Sequence, residues 1–398
     1  MRRSALSSVL VILGLLPTAS VSQEARAGQD KEARAGHYQD AGVTREGDRF
    51  VRVFYGNGPA TRRLHINAHG PVTVQAGAAK TLQYSVRISV QARTEREARS
   101  VLQRYSVRQE SRGDTLVLTA PGGPVVSTVI VKAPRLEGVI VSTSDGAVEA
   151  TGVDGPLEID TGAGEIRAQR IRGDCKLVTG GGDLSVDHIG GALHCSSGAG
   201  KIQIGTVQGA AVMETVGGDI TVTEVGGTLR AETGGGGIHI VKAGAAVNVS
   251  TGGGQIIVEK AKGIVTARNM AGPVKVGAAA GVHCESASGG INVSNITGAM
   301  NVSTSLGNIM ASLLSGRLTQ SFLATGNGDI TVFIPSNVGV NIRAQNDMAD
   351  TTRRIAVDFP NVRVRRQGRL IVAEGPVNGG GPLLQISATV GTIFIKKQ

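Results

Sequence analysis

The chain has 398 residues and a formal net charge of +10, with 58 glycines, no tryptophan and only 3% aromatic residues. This mixture is far from that of an ordinary globular enzyme of the same length. Disorder is excluded as well, because 40% of the residues are hydrophobic and much of the chain alternates apolar with polar residues. A repeat architecture with obligatory turns remains.

Residues 1–22 have the layout of a secretory signal peptide. Two arginines precede an apolar run from Val9 to Leu16, and small residues follow. Neither this run nor any later stretch reaches the ~20 apolar residues that a transmembrane helix needs. The sequence therefore predicts export to the periplasm or the extracellular space, with no transmembrane segment after signal removal. Residues 23–48 are polar and rich in alanine, glycine and charge, which predicts a flexible linker.

Residues 49–137 are predicted to form a small β-rich lead or cap. Runs such as RFVRVFY, YSVRISVQA and STVIVKA have the composition of strands. Between them, TEREARSVLQRY predicts one short helix that starts with polar residues and turns Val101 and Leu102 inward.

An 18-residue repeat fills residues 138–316. One glycine series recurs at 18-residue intervals from Gly155, and a second runs midway through each unit from Gly146, so the chain turns about every nine residues. Between the turns, apolar residues stand two apart in fixed columns, as Ile166 and Ala168 do. A spacing of two is the strand period, so both columns face the core. Such units predict a β-solenoid whose coils stack on one another.

The predicted fold is thus all-β, a single-stranded β-helix of about ten coils between the N-terminal lead and an irregular β C-terminal end over residues 317–398. The usual crossover preference favours right-handed winding. One residue is missing from the register after Gly281. One coil alone buries too little apolar surface to offset its ordering, so stacking stabilises the fold and the two ends need caps.

A column of small polar residues accompanies the apolar columns. Its side chains can hydrogen-bond the turn backbone or one another along the stack, which predicts a structural role, and a polar ladder for a ligand is the alternative. The column consists of Thr143, Thr161, Thr179, Ser197, Thr215, Thr233, Thr251, Asn269 and Thr304.

The combination of a signal peptide, a helix-bearing lead, repeated STGxGxIxV coils and a closing GTIFIKK resembles the bacterial "putative adhesin" families of β-strand-repeat domains of unknown function. The resemblance covers about Phe50 to Lys397. It implies a β-helix in the cell envelope. Adhesin is a family label and not an established activity, so the resemblance supplies no catalytic residues.

No catalytic, cofactor-binding or metal site is predicted. Asp183 and Asp219 share an outward column two coils apart with Lys201 between them, which favours pairing along the stack over a catalytic dyad. The acidic residues do not follow the spacing of calcium-binding nonapeptide repeats. No two of four histidines share a metal-ligand geometry, because they fall in different columns. These histidines are His188, His194, His239 and His283.

Cys175, Cys195 and Cys284 occupy inward columns, which predicts free, buried thiols. No aromatic residue occurs between Tyr105 and Phe322, so the coils lack the stacking platforms that bind sugars or single-stranded nucleic acid. The sequence therefore argues against nucleic acid as a partner.

The most suggestive exposed chemistry is a basic C-terminal end. Alternation in VRVRR predicts that Arg363 and Arg365 share one face, and Lys396 and Lys397 lie beyond. These charges form either a solvated edge that blocks aggregation or a patch for an anionic glycan, a lipid surface or an envelope protein. The candidate patch consists of Arg353, Arg354, Arg363, Arg365, Arg366 and Arg369.

Together these features favour a non-catalytic, exported envelope protein with a scaffold or adhesion role and no cofactor. A glycan-cleaving β-helix enzyme, either a lyase or a hydrolase, is the first alternative. A self-assembling structural filament is the second, and the sequence leaves the oligomeric state open.

Overall fold

The computed structural model describes residues 38–59, 61–314, 318–347 and 354–398, so the predicted signal peptide lies outside the described residues. The prediction of a flexible linker over residues 23–48 is wrong for its described part, because Tyr38–Glu46 forms strand β1. This segment has few inward apolar residues and therefore carries no strand pattern of its own. Its order comes from antiparallel pairing with the next strand across a turn at Gly47.

Successive coils contribute one strand to each of two sheets, A and B, whose inner faces enclose the core. The strands of sheet B are β9 (Gly138–Thr143), β11 (Leu157–Thr161), β13 (Cys175–Thr179), β15 (Leu193–Ser197), β17 (Ala211–Thr215), β19 (Leu229–Thr233), β21 (Val247–Thr251), β23 (Ile264–Ala271), β25 (Gly281–Ser288), β27 (Met300–Leu306) and β29 (Ser321–Asn327). The strands of sheet A are β10 (Val148–Thr151), β12 (Ile166–Ile171), β14 (Leu184–Ile189), β16 (Ile202–Val207), β18 (Ile220–Val225), β20 (Ile238–Ala243), β22 (Ile256–Ala261), β24 (Val274–Val276), β26 (Ile291–Ile296), β28 (Ile309–Leu313) and β30 (Ile330–Ile334).

These coils pair in parallel, each residue beside its counterpart in the next coil. The predicted β-solenoid is confirmed, and it continues through β29 and β30, past the ten coils that the repeat defines. The inward apolar columns are confirmed too. In one of them no side chain is more than 1% exposed, and its members are Ile166, Leu184, Ile202, Ile220, Ile238, Ile256 and Val274.

The polar column bonds the turn backbone. The Thr233 hydroxyl donates to the Gly218 carbonyl of the preceding coil at 2.8 Å and accepts from the Gly236 amide at 3.1 Å. Most members of the column repeat the first of these bonds, which confirms the structural interpretation. Ser286, which stands between Asn269 and Thr304 in the register, departs from the pattern, because its buried hydroxyl has no partner among the described residues.

The irregularity near Ser286 follows from a coil that is one residue short. Ile264 pairs with Gly281, and the Ala280 amide donates to Gly263 at 3.1 Å, so Ala280 takes the turn position that Gly263 holds one coil earlier. The missing residue therefore lies before Gly281, and the prediction that placed it after Gly281 is wrong. The prediction aligned Gly281 with Gly263 because both are glycines, whereas the structure aligns Ala280 with Gly263.

The stacked mid-coil turns require glycine because successive backbones touch. A Cβ at Gly182 would lie 1.9 Å from the Gly164 carbonyl oxygen, which no side chain can accommodate. This close approach explains why glycine recurs midway through the units.

The N-terminal lead docks on the solenoid as two further rungs, where a rung is one strand of each sheet at the same level. Its elements are β2 (Arg49–Asn57), β3 (Arg63–Ala68), β4 (Val72–Ala76), β5 (Gln83–Gln91), α1 (Glu95–Leu102), β6 (Arg108–Arg112), β7 (Thr115–Thr119) and β8 (Val126–Ala133). The rung β3/β4 pairs with β9/β10 on one side and with β7/β8 on the other. Antiparallel strands then close the end, β6 on sheet B and β5, β2 and β1 on sheet A.

The predicted helix is confirmed as α1. The Thr94 side chain caps it by accepting from the Glu97 amide at 3.3 Å, and Ala98 and Leu102 are buried while Val101 is partly buried. In the described ranges no helix is long and apolar enough to cross a membrane.

The C-terminal end reverses the order of its rungs. Its strands are β31 (Val340–Asn346), β32 (Ile355–Val357), β33 (Arg363–Gln367), β34 (Leu370–Val377), β35 (Leu383–Val390) and β36 (Ile393–Lys397). The last two strands, here called the inserted rung, lie between earlier ones: β35 between β29 and β31, and β36 between β30 and β32. The antiparallel strands β34 and β33 then close sheet B. The end of the chain is thus held inside the stack.

Candidate anionic-ligand surface

The β33–β34 hairpin brings most of the predicted basic residues together. Gln367 pairs with Leu370 across a two-residue turn in which Gly368 has a φ of +63°. Buried Phe359 and Val362 anchor the segment that leads into β33. The strand is the outer edge of sheet B, and all five of its residues are exposed.

Arg363 and Arg365 share the outer face of the sheet, as the alternation predicts. Arg363 pairs with Glu374 of β34, and Arg365 pairs with Val372, whereas the intervening Val364 pairs with buried Ala373. Within the described part of the chain, no carboxylate lies in salt-bridge distance of Arg363 or Arg365, because Glu374 contacts Arg343 at 3.5 Å instead. With Arg363, Arg365, Arg366 and Arg369 against Glu374, the hairpin therefore presents net positive charge.

Arg369 lies in the adjacent turn, whereas Arg366 pairs with buried Ile371 and therefore lies on the opposite face of the strand from Arg363 and Arg365. The other basic residues lie elsewhere. The Arg366 guanidinium donates to the Gly368 carbonyl at 3.0 Å, and Arg369 sits in the exposed turn. Arg354 precedes β32 and accepts, through its carbonyl, from the Ile393 amide in sheet A. Lys396 and Lys397 follow on β36, also in sheet A. Arg353 lies outside the described residues.

Asp183 and Asp219 bind turn backbone. The Asp183 carboxylate accepts from the Lys201 amide at 2.8 Å, and the Asp219 carboxylate accepts from the Gly237 amide at 2.8 Å. Asp174 does the same for Ala192 at 2.7 Å. Each carboxylate therefore links its coil to the next. Asp183 pairs with Lys201 along the stack, as predicted, but with the Lys201 backbone amide.

The three cysteines are free and buried, as predicted. Burial raises the pKa of the Cys175 and Cys284 thiols to about 12, and burial also raises the pKa of the Cys195 thiol above its usual range. Among the residues that the structure describes, no group of three metal-ligating side chains comes together.

Two grooves that run along the stack on the outer faces of the sheets were not predicted from the sequence. Groove B lies on sheet B, encloses about 670 Å³ and has a floor of small residues such as Pro156 and Ala192 beneath the side chains of Glu158, Lys176 and His194. Its lysine is paired, because the Lys176 ammonium donates to Glu158 at 2.7 Å, a bond that raises the pKa of Lys176.

Groove A lies on sheet A and encloses about 460 Å³ across the rungs of β22 to β30. Pro273 and Gly290 line it, with Ile257, Lys275 and Asn292 at its side. Small residues at consecutive positions of one outward column could have indicated both grooves from the sequence.

Residues 61–266 match the family model of Toastrack DUF4097, which is more than half of the chain. The chain belongs to the Toastrack family. The Toastrack match begins just before β3 and ends within β23, so it covers the coils around groove B and stops before the β33–β34 hairpin. No curated protein matches this Toastrack chain.

Solved bacterial structures share low identity with this Toastrack protein. A "putative cell adhesion protein" from Clostridium sporogenes is 11% identical, with 91% of this chain and 100% of that chain covered and a TM-score of 0.20. A "putative adhesin" from Bacteroides fragilis is 10% identical, with 87% and 97% covered and a TM-score of 0.20. A "putative adhesin" from Parabacteroides distasonis is 11% identical, with 71% and 96% covered and a TM-score of 0.29. Scores this low carry no information about function.

Proposed function

We propose that this Toastrack protein is an exported, non-catalytic scaffold or adhesion protein that binds an anionic component of the cell envelope through the β33–β34 hairpin. Export follows from the arginines and the apolar run of residues 1–22. The proposed partner is an anionic glycan, an anionic lipid surface or an acidic envelope protein.

The observation that carries this proposal is the charge of the hairpin. Arg363, Arg365, Arg366 and Arg369 lie within seven consecutive residues, all of them exposed. None of the four has a carboxylate in salt-bridge distance among the described residues, although thirteen Arg–carboxylate or Lys–carboxylate pairs occur elsewhere in the same part of the chain. Arg363 and Arg365 stand two residues apart on one face, and guanidinium groups bind carboxylates and phosphates in bidentate geometry.

The other end of sheet B supports the choice of this edge. Strand β6 also carries two arginines, yet the Arg112 guanidinium contacts Glu110 at 2.8 Å, so part of its charge is neutralised. An edge strand needs only a few charges to block aggregation. Strand β33 and the turn after it carry four arginines, more positive charge than an edge strand requires, and this excess charge favours a ligand.

Salt-dependent co-sedimentation tests the proposal. Mature protein is mixed with peptidoglycan, with anionic liposomes or with neutral liposomes, and the variant Arg363→Glu, Arg365→Glu, Arg366→Glu is run beside it. We expect binding to one anionic material that falls as salt rises and is lost in the variant.

The matched control reverses three exposed arginines at the opposite end of the rod: Arg104→Glu, Arg108→Glu and Arg112→Glu. Both variants change the net charge by the same amount. Equal loss of binding in the two variants would reduce the effect to overall charge and overturn the assignment to the hairpin. Wild-type binding in the hairpin variant would overturn it as well.

A further inference from the structure

Groove A has the shape and chemistry of a polymer-binding site. It crosses the rungs of β22, β24, β26, β28 and β30, so it runs along the stack and at right angles to the strands. Stacked strands lie ~4.8 Å apart, so the groove spans roughly 19 Å. Each rung offers equivalent positions, which suits an extended chain of repeating units.

The polar lining of groove A is rich in amides. Gln255, Asn292 and Asn308 line it and are exposed. The side-chain Oδ1 of Asn308 accepts from the Asp329 amide at 2.8 Å, so its NH₂ group is the part of the amide that can donate to a ligand. Amide side chains both donate and accept, so a row of them matches the hydroxyl groups of a sugar chain.

Groove A also holds an uncompensated cation. Lys275 is exposed and has no carboxylate in salt-bridge distance among the residues described, whereas Lys176 of groove B is bonded to Glu158. Asp329, the carboxylate that lines groove A, accepts from the Thr392 amide at 2.7 Å. Lys396 follows on the next rung, so Lys275 and Lys396 together outweigh the charge of Asp329 along the path toward Phe394 and favour a ligand with negative charge.

An aromatic surface continues groove A toward the C-terminal end. Thr331 lies between Met310 and Phe394 in one outward column, and Phe333 lies one position away beside Lys396. The Lys396 ammonium stands 5.3 Å from the centre of the Phe394 ring. Apolar ring faces next to cations bind the C–H faces of acidic sugars. The coils before β29 lack such rings.

We propose that groove A binds a linear glycan that carries carboxylates, with the chain lying along the stack from Gln255 toward Phe394. The amides bind hydroxyl groups, Lys275 and Lys396 bind carboxylates, and Met310 and Phe394 contact ring faces. This deepens the proposed function, on which it rests for an envelope location, but it places the glycan on sheet A and not on the hairpin.

Titration calorimetry of the mature protein with polygalacturonate tests the groove. Its methyl-esterified form, which lacks the charge, serves as the matched ligand. We expect Lys275→Gln and Asn292→Asp each to weaken binding of polygalacturonate by about 3- to 10-fold. Lys176→Gln, the equivalent lysine of groove B, should leave the affinity unchanged. Both mutated groove positions are exposed, so folding is preserved.

The hairpin variant separates this proposal from the proposed function. If Arg363→Glu, Arg365→Glu, Arg366→Glu abolishes binding to polygalacturonate while Lys275→Gln binds as wild type, groove A is wrong and the hairpin assignment stands. If Lys275→Gln alone weakens binding, groove A is supported and the hairpin is not the glycan site. Equal affinity for the esterified polymer, or binding only to phosphatidylglycerol vesicles, would overturn the acidic-glycan assignment.

Discussion

Substituting Ile386 in the inserted rung should release residues that precede it in the sequence. Ile386 is fully buried in β35, between β29 and β31. Ile386→Ala should therefore cost about 2–5 kcal/mol through lost burial and the cavity that remains. Strand β32 pairs only with β36 among the described strands, and β31 reaches the solenoid through β35. Loosening the inserted rung should therefore also loosen β31, β32, β33 and β34.

Hydrogen exchange followed by mass spectrometry measures this coupling. A loss of 2–5 kcal/mol raises exchange about 30- to 4000-fold, since each 1.4 kcal/mol is a factor of ten. We expect this increase in residues 340–346 and 363–377 as well as in 383–397, with no change in the coils from β13 to β21.

Ile342→Ala provides the matched control. Ile342 is 3% exposed in β31, which lies outside the inserted rung. Its substitution should accelerate exchange in β31 and β34 but leave β35 and β36 protected. If Ile386→Ala leaves β31 and β34 as protected as in the wild type, the reasoning that the end of the chain locks the stack is refuted.

Three further predictions concern the coils. Thr233→Val should lower the free energy of unfolding by about 1–3 kcal/mol, because it leaves a buried carbonyl and a buried amide without partners. Ser286→Ala should change it by less than about 0.5 kcal/mol, because the Ser286 hydroxyl has no partner among the described residues. Urea titration of the two variants measures the difference. Arg170 has a φ of +55°, a conformation that favours glycine. Arg170→Gly should therefore match or exceed the stability of the wild type, whereas the neighbouring Gln169→Gly should lose about 0.5–1 kcal/mol. Equal losses of the two variants in thermal unfolding would argue against strain at Arg170. The folded-state pKa of the buried thiols is raised from 9.0 to about 12 at two of the three sites, so their contribution to stability is complete below pH 9 and declines as pH rises toward 12. Replacing all three cysteines with alanine should flatten that decline in the melting temperature, and an unchanged slope would contradict the assignment.

The coils were predictable because each residue type repeats its environment. The column that begins at Ile166 has an apolar residue every 18 positions, and a second apolar residue follows two positions later in each coil. In a strand, residues two apart face the same side, so both columns face the core. Thr233 was predictable in the same way, since a hydroxyl beside a glycine turn has few partners other than the turn backbone. Even the short coil was visible, although the position of its missing residue was not.

The ends were not predictable in their spatial order. Nothing in LLQISATV and GTIFIKK distinguishes a terminal rung from an inserted one, because both bury the same alternate residues. Pairing partners of parallel strands are set by which edges remain open during folding, and local pattern does not encode that choice. Strand β1 was missed for a related reason, because its order depends on pairing with β2.

The basic hairpin was identifiable from charge and alternation, whereas the grooves were not. Arg363 and Arg365 stand two apart in a strand, which places them on one face. Lys275 and Phe394 are 119 positions apart in the sequence and share one outward column, four rungs apart, only because β36 inserts beside β30. A site assembled across that insertion leaves no motif.

Arginine-selective modification tests whether an anionic envelope component binds the β33–β34 hairpin. Mature protein is treated with phenylglyoxal in the presence and absence of the anionic material that it sediments with, and modified peptides are quantified by mass spectrometry. We expect protection of Arg363, Arg365 and Arg366 and none of Arg104 or Arg108. Equal modification of the hairpin arginines in the bound and free protein would contradict this expectation.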